Sequence, residues 1–450
     1  MTARALLVEA MARAQLGRWS RALPFGLCLV GCGVADPSVV IDDNVATVAV
    51  VSWSADGPGR TRIEIDHADG PWLVTDWQEA GLGLSRPVVG LWADTEYTAR
   101  VVSEDGAASA DVAFTTGSIP ASVPGYSVAG DPGWEGYLLT GLVSDPTAVV
   151  ILDETGRVVW YHVGKKGLRA LRVRLAPDGS GVRYASIEAV AVPQKSELVT
   201  VDWSGKTQKS HALPLFTHDF VDDGDDAVGI FTDVRPGRSG SDVSGDALWH
   251  IDGETGATAP IWSCWDTWEV PEDSEMTKGS WTHANTVDVR EEGGWWLSFR
   301  NDSRIVEVLE DGAVGRHLGG EESSWTFTDR ADQPKFQHGF QFVDGGVVIF
   351  DDRNPSSGED SRVLELALDD TTMTAQAIGE WHHDPPIEVY ALGDVDRAED
   401  GSTLATFSSA GVISDVSPEG ELRWELQTSL AAGVSYVVRE PRLPGVERVR

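Results

Sequence analysis

Three histidines occupy the same place in three successive repeats of the chain, and each is followed by an arginine that closes the next strand-like run. In chain order the pairs are His218 with Arg235, His283 with Arg300, and His338 with Arg353. The central repeat, WTHANTVDVREEGGWWLSFR, contains two strand-like runs joined by a turn at 291–294. Because the start of one antiparallel strand lies beside the end of its partner, His283 and Arg300 are expected at one end of a single hairpin. This pairing suggests an anion site.

Two chemistries need several imidazoles at one place. A metal ion would use three or four neutral histidines oriented by carboxylates, and Asp219 and Asp288 keep that alternative open. Transfer of a tetrahedral anion would use protonated His and Arg to hold its oxygens and one neutral His as nucleophile or base. Arg300 favours anion transfer, because a guanidinium is repelled by a metal ion but pairs with sulfate or phosphate. A third alternative is that the histidines only form hydrogen bonds in a packed channel.

The elements that position these residues come from a longer repeat. A strand-turn-strand phrase occurs six times, about 50 to 58 residues apart, starting at Ala148, Glu197, Ala247, Arg304, Arg362 and Gly411. Each copy follows another strand-like run, and four strands per period of about 50 residues are typical of a β-propeller blade. The sequence therefore predicts a six-bladed β-propeller over residues 124–450. The first blade lacks its own first strand, which the run from Val434 is expected to supply, closing the ring.

The blade order gives the histidines a common location. The first strand of each propeller blade lines the central channel, so we expect His218, His283 and His338, from blades 3, 4 and 5, to converge near the mouth of the channel. Arg235, Arg300 and Arg353 end the neighbouring second strands at that same mouth. Three consecutive blades occupy about half of the ring, which predicts a one-sided cluster.

The segment before the propeller has a different pattern. Residues 36–118 alternate apolar and polar side chains and are predicted to form a small β-sandwich that resembles a fibronectin type III domain, with a turn before Tyr97. The linker TGSIPASVP ends it. With 18 Trp and 48 Gly among β-branched runs, the whole 450-residue chain is predicted to be all-β. Its net charge of -36 argues against a nucleic-acid partner.

The first 35 residues resemble a lipoprotein signal peptide and tether. A basic region precedes a short apolar run, and Leu29-Val30-Gly31-Cys32 resembles a lipobox. Cleavage before Cys32 would leave a lipidated N-terminus, so the chain is expected to be exported and anchored in a bacterial cell envelope, on the periplasmic side or the cell surface. An ordinary secretory signal is the alternative. With Cys32 lipidated, Cys264 would remain alone and no intrachain disulfide is expected.

Residues 124–450 resemble the bacterial arylsulfotransferases. The shared phrases are Thr282-His283-Ala284-Asn285, Ser298-Phe299-Arg300, Gln337-His338, Phe350-Asp351 and Ser361-Arg362-Val363. The resemblance implies that His338 accepts a sulfuryl group as sulfohistidine, that His283 and Arg300 hold the sulfonate oxygens, and that His218 assists.

Further expectations follow from the same resemblance. It implies transfer from an aryl sulfate to a phenolic acceptor, without a nucleotide donor, metal or other cofactor. We expect Asn285 and Arg353 to contact the substrate. The family's usual Asn-Gly after Phe-Asp is replaced by Asp352-Arg353, which adds a carboxylate near the site. The alternatives are a non-catalytic lipoprotein propeller that binds a ligand or partner at the same mouth, and a metal-dependent enzyme.

Overall fold

Six four-stranded antiparallel sheets follow one another as the six blades of a β-propeller in the computed structural model, which describes residues 33–68, 72–271, 280–353, 358–429 and 433–449. The strands, from the innermost outward, are as follows. Blade 1 contains Val434–Glu440, Tyr137–Leu142, Ala148–Asp153 and Val158–Val163; blade 2 contains Arg169–Leu175, Gly181–Ile187, Glu197–Asp202 and Thr207–Ala212; blade 3 contains Phe216–Asp223, Asp226–Pro236, Asp242–Ile251 and Thr258–Ser263. Blade 4 contains Ala284–Val289, Trp295–Phe299, Arg304–Val308 and Val314–Gly319; blade 5 contains Phe340–Val343, Gly346–Asp351, Arg362–Asp369 and Thr374–His382; blade 6 contains Asp394–Arg397, Thr403–Phe407, Val412–Val416 and Leu422–Thr428.

Burial explains why these segments form strands in this order. Inner strands such as Tyr137–Leu142 and Ala148–Asp153 are buried at every position, because neighbouring blades cover both of their faces. The outermost strand of blade 2, Thr207–Ala212, alternates between exposed and half-buried positions instead. Helical structure in the described residues is limited to the short helix Cys264–Thr267 and the 3-10 turns Arg330–Asp332 and Ser408–Ala410. Within those same ranges, no helix is long and apolar enough to cross a bilayer.

Both ends of the propeller sequence contribute to closing the ring. The C-terminal strand Val434–Glu440 pairs with Tyr137–Leu142 and supplies the innermost strand of blade 1, so the prediction made for the run from Val434 is confirmed. At the other end, Tyr126–Gly130 adds a fifth strand to the outer edge of blade 6. A shorter strand, Thr326–Phe327, pairs in parallel with the outer strand of blade 5. Without Val434–Glu440, the strand Tyr137–Leu142 would have an unpaired edge.

Two further sheets lie in the N-terminal part of the chain. The three-stranded sheet contains Ser38–Ile41, Ala49–Trp53 and Leu84–Val88, and the larger sheet contains Val112–Thr115, Glu96–Ser103, Arg60–Asp66, Trp72–Thr75, Gln78–Glu79 and Val446–Val449. The short strands Gly33–Val34 and Ala55–Asp56 also pair with each other. Side chains from both sheets, including Val51 and Ile63, belong to one buried cluster. The predicted boundaries at 36–118 and 124–450, and the fibronectin-like assignment, stay predictions.

One strand departs from the predicted division of the chain. Val446–Val449 was assigned by sequence to the propeller, but it pairs antiparallel with Trp72–Thr75 in the larger N-terminal sheet. The N-terminal sheets also contact blade 1 directly: Trp92 Nε1 donates to Asp153 Oδ2 at 2.6 Å, and the Arg157 guanidinium lies 3.8 Å from the Trp92 ring centroid. The last strand of the chain therefore ties the N-terminal sheets to the propeller.

A buried arginine joins the inner strands of several blades. Arg172 of blade 2 donates from Nε and Nη2 to the two carboxylate oxygens of Asp219 in blade 3, at 2.9 and 3.1 Å, and from Nη1 to Asp394 of blade 6 at 2.9 Å. Its guanidinium lies 4.2 Å from the ring centroid of Tyr436 in blade 1. Tyr436 in turn donates its hydroxyl hydrogen to the carbonyl oxygen of Asn285 in blade 4 at 2.5 Å. One cation thus holds the inner ends of the blades together.

We expect Arg172→Met to lower the free energy of unfolding by about 3 to 5 kcal/mol, because it leaves two buried carboxylates without their cation. Urea unfolding followed by tryptophan fluorescence measures the change. Arg60→Met is the control: Arg60 pairs with Glu104 at the surface, where both side chains are largely exposed, so its loss should leave stability nearly unchanged. Equal effects of the two substitutions would contradict a structural role for Arg172.

Candidate active site

Two of the three repeated histidines lie where the strands depart from regular geometry. His218 and His283 both have left-handed backbone conformations, with φ of 50° and 57°. The register of the first hairpin in blade 3 shifts between Thr217 and Phe220, on either side of His218. Such conformations are costly for residues other than glycine and tend to occur at functional sites. The bulge in blade 3 thus sets the direction in which the His218 side chain leaves the strand.

The rings of His218 and His283 face each other across blades 3 and 4. Their centroids are 5.1 Å apart and their planes meet at 66°. Nδ1 of His218 lies 2.7 Å from the hydroxyl oxygen of Thr217. Within the described residues, neither ring nitrogen of His283 has a hydrogen-bond partner. The Nε2 of His218 and both nitrogens of His283 can therefore contact a ligand.

Arg300 lies beside His283 and supplies a cation that forms no ion pair with any described residue. Its backbone N–H donates to the carbonyl oxygen of His283 at 3.0 Å, which places both residues at one end of the hairpin, as the sequence predicts. Its guanidinium lies 5.1 Å from the ring centroid of Phe336, and no described residue forms an ion pair with it. Burial lowers the pKa of Arg300, and the nearby Asp352 carboxyl opposes that effect. A half-buried, unpaired guanidinium is suited to binding an anion.

His338 is buried deeper than the other two histidines, with 2 % of its side chain exposed. Its Nδ1 lies 2.6 Å from Oδ2 of Asp352, whose side chain is fully buried. Its Nε2 accepts a hydrogen bond from the backbone N–H of Leu392 at 3.2 Å. Because Nε2 accepts, it carries no proton, and the neutral ring must carry its proton on Nδ1. An attack by Nε2 on a substrate would require the substrate to replace the Leu392 N–H.

Burial favours the neutral form of all three histidines. It lowers the pKa of His283 and of His338 to about 3, with Arg300 adding to both effects. The pKa of His218 is also held well below its usual value, first by burial and then by the other two rings and Arg300. Burial therefore favours neutral imidazoles, so that Arg300 supplies the positive charge and the imidazoles supply hydrogen bonds; which of the histidines is protonated during transfer stays a prediction.

Several other predicted residues are engaged elsewhere. Arg235 forms ion pairs with Asp233 and Asp266, both at 2.9 Å. Arg353 pairs with Glu359 at 2.7 Å.

The hairpin lengths explain the position of Arg235. In blade 3 the second strand runs on to Pro236, and Thr217 pairs with Ile230, so Arg235 lies beyond the end of the histidine strand. Blade 4 has no such extension, and its arginine remains beside His283.

Asn285 has a buried position close to the site. Its Nδ2 donates to the carbonyl oxygen of Gln337, next to His338, at 2.8 Å, while its Oδ1 is buried without a partner. It thus links blades 4 and 5, and its contact with a substrate stays a prediction. Cys32, the predicted lipidation site, lies outside the described residues.

Sequence reasoning missed two contacts of His338. Asp352 was recognised only as a departure from the expected motif, and its contact with Nδ1 depends on the geometry of blade 5. Leu392 contributes a backbone N–H, which leaves no trace in residue type. Among the described residues, no group of three or more His, Cys, Asp or Glu side chains has the arrangement needed to hold a metal ion. Asp219, which kept the metal alternative open, forms a two-point ion pair with Arg172.

An aromatic cavity adjoins the site. It has a volume of about 660 Å³ and includes Trp268, Trp281 and Phe336 in its lining. Phe336 is also the ring beneath Arg300, so the cavity and the histidine cluster share a wall. Besides these aromatic residues, the lining includes four charged side chains, Glu269, Asp302, Arg304 and Glu322. The aromatic part of the lining suits an aromatic ring.

The fold is that of a six-bladed β-propeller, with His218, His283, His338 and Arg300 clustered at one place. The arylsulfotransferase (ASST) family matches residues 137–430, more than half of the chain. The chain belongs to this family, and the predicted resemblance is confirmed. Membership supports an arylsulfotransferase-like function and implies aryl sulfate and phenol substrates.

Solved structures with a similar chain course are distant in sequence. A protein of unknown function from Bacteroides caccae has 10% identity and a TM-score of 0.43, with 68% of this chain and 98% of that chain covered. Virginiamycin B lyase from Staphylococcus aureus has 11% identity and a TM-score of 0.35, with 70% and 97% covered. No curated protein has a significantly similar sequence.

Proposed function

We propose that this protein transfers a sulfuryl group from an aryl sulfate ester to a phenolic acceptor through a sulfohistidine at His338. The observation that carries the proposal is the unpaired Arg300 guanidinium beside His283, in the same cluster as the buried His338. Arg300 and the free nitrogens of His283 would hold the non-reacting sulfonate oxygens. Sulfuryl transfer, like phosphoryl transfer, depends mostly on positioning and on positive charge at those oxygens.

The reaction proceeds in two balanced steps. In the first, Nε2 of His338 bonds to sulfur while the bond between sulfur and the aryl oxygen breaks, and the electron pair leaves with the phenolate. In the second, the acceptor oxygen bonds to sulfur, and the electron pair of the N–S bond returns to Nε2. The leaving phenolate would take its proton from solvent, and the neutral His218 would take the proton of the acceptor phenol and pass it to solvent. Neither step needs a nucleotide donor.

The aromatic cavity provides a location for the aryl groups. Phe336 would place the ring of donor or acceptor next to Arg300, in the cavity that Trp268 and Trp281 also line. The donor would bind with its sulfonate towards the histidines and its ring in the cavity. After the phenol departs, an acceptor ring can occupy the same walls, as a two-step exchange through one site requires.

Release of nitrophenol from 4-nitrophenyl sulfate by the purified full-length protein tests this function. We expect slow release alone and faster release when phenol is added, with phenyl sulfate as the second product. Release that phenol does not accelerate would indicate a sulfatase. A folded protein that releases no nitrophenol with any of several phenols would favour a propeller that only binds its ligand.

A further inference from the structure

Two consecutive buried carboxyl groups at the end of the second strand of blade 5 have very different surroundings. Asp351 accepts hydrogen bonds from Nε of Arg362 at 2.9 Å, from the N–H of Lys335 at 2.8 Å and from the N–H of Arg353 at 3.2 Å. Asp352 is equally buried, but none of the residues that the structure describes gives either of its oxygens a hydrogen bond of regular geometry. A buried carboxyl group without hydrogen-bond donors lowers the stability of the fold, so a contribution to stability does not explain Asp352.

The group that faces Asp352 is the imidazole of His338. Oδ2 of Asp352 lies 2.6 Å from Nδ1, the nitrogen that must carry the ring proton because Nε2 accepts from Leu392. At this distance the two groups do not yet form a regular hydrogen bond, and contacts between catalytic groups often align only when substrate binds. The carboxyl is therefore within reach of the Nδ1 proton, on the opposite side of the ring from the attacking nitrogen.

We propose that Asp352 is a positioning residue for His338: its carboxylate holds the Nδ1 proton and compensates the positive charge that the ring acquires when Nε2 bonds to sulfur. The inference rests on the proposed sulfohistidine. A neutral ring that bonds to sulfur through Nε2 while keeping its Nδ1 proton becomes a cation in a buried place. The Asp352 carboxylate turns that cation into a hydrogen-bonded ion pair. When the N–S bond breaks, the ring is neutral again and the proton has stayed on Nδ1.

The other charged groups around His338 do not take this role. On the substrate side the ring faces Arg300, His283 and His218, which are cationic or neutral and would disfavour a positive charge on it. A carboxyl oxygen of Asp394, from blade 6, packs against Gly339, next to His338.

The remaining carboxylates near the ring already have cations. Asp394 is bound by Arg172 at 2.9 Å, and Asp351 is bound by Arg362 at 2.9 Å. Asp352 is thus the carboxyl left to balance the ring.

The proposal predicts a distinctive pH dependence. Burial raises the pKa of Asp352 well above its usual range, although Arg300 opposes the shift. The carboxylate needed for sulfation is present above that raised pKa and lost as the pH falls through it. We expect the rate of the donor step to fall on the acid side with a midpoint well above that of an ordinary carboxyl group. In Asp352→Asn, this fall in the rate of the donor step at acid pH should be absent.

The kinetic test separates the two half-reactions. In Asp352→Asn, the first burst of nitrophenol from 4-nitrophenyl sulfate should be about 10- to 100-fold slower, because a charge-assisted contact with the sulfated ring is lost. Transfer from the sulfated enzyme to phenol should not slow, because the lost contact stabilises the intermediate. A merely structural role would slow both steps. Asp415→Asn is the matched control. Asp415 lies in the third strand of blade 6, and its fully buried carboxylate pairs with Arg423. This substitution should leave the rates of both half-reactions unchanged.

A second measurement does not depend on turnover. In protein labelled with ¹⁵N-histidine, the His338 signals are identified by their loss in His338→Ala. We expect the ¹⁵N chemical shifts of His338 to show a proton on Nδ1 and none on Nε2. The chemical shift of Nδ1 should change with pH as Asp352 titrates, and this change should be absent in Asp352→Asn. A proton on Nε2, or the same change in both proteins, would overturn the role of Asp352. Failure of the sulfohistidine itself would instead appear as wild-type protein that shows this change in chemical shift but releases no nitrophenol.

Discussion

His338→Ala is expected to abolish acceptor-stimulated release of nitrophenol, lowering the rate by about 10⁴-fold or more. The substitution removes the nitrogen that would bond to sulfur, and the direct reaction of donor with acceptor would then need both rings in the site at once. The measurement is the initial rate with 4-nitrophenyl sulfate and phenol, together with the mass of the peptide that contains residue 338 after exposure to donor alone. Wild-type protein should gain one sulfuryl group on that peptide.

His250→Ala provides the matched control for this result. His250 is a half-exposed histidine in the third strand of blade 3, and its Nε2 lies 3.0 Å from Asp226, away from the cluster. Its removal should leave the rate unchanged. Retained transfer in His338→Ala, with the sulfuryl group found on His283 or His218, would assign the nucleophile to another ring of the cluster.

The fold could be predicted from sequence because a blade is a local unit. Each copy of the strand-turn-strand phrase carries its own apolar pattern and turn, so six copies predict six sheets without knowledge of any long-range contact. The closing strand at Val434–Glu440 followed from the absence of a first strand in blade 1. By contrast, Val446–Val449 could not be placed, because its partner Trp72–Thr75 lies far away in sequence and nothing local distinguishes the two possible sheets.

The candidate site was predictable where the repeats are regular. His218, His283 and His338 share one repeat position, and the structure gathers them at one place. Blade 3 departs from this regularity, because its second strand is longer and places Arg235 beyond the end of the histidine strand, where it pairs with Asp266.

Protonation and backbone contacts were beyond sequence reasoning for physical reasons. The neutral state of the histidines depends on burial, which residue type does not encode. The hydrogen bond from Leu392 to His338 comes from a main-chain N–H that any residue other than proline would offer. The sequence therefore identifies the candidate residues of the site, whereas their protonation states and backbone contacts depend on how the chain packs around them.

Arg300→Met should lower kcat/KM for the aryl sulfate donor by about 10²- to 10³-fold, because a methionine fills similar space but offers neither charge nor hydrogen bonds to the sulfonate oxygens. Since no described residue forms an ion pair with the Arg300 guanidinium, its removal breaks no ion pair there, and we expect unfolding in urea at nearly the same concentration. Arg235→Met is the matched control, as Arg235 closes the equivalent hairpin of blade 3 but is paired with Asp233 and Asp266. A loss confined to Arg300→Met identifies the unpaired guanidinium as the anion-binding group, whereas equal losses would point to a general effect of arginine removal on the propeller.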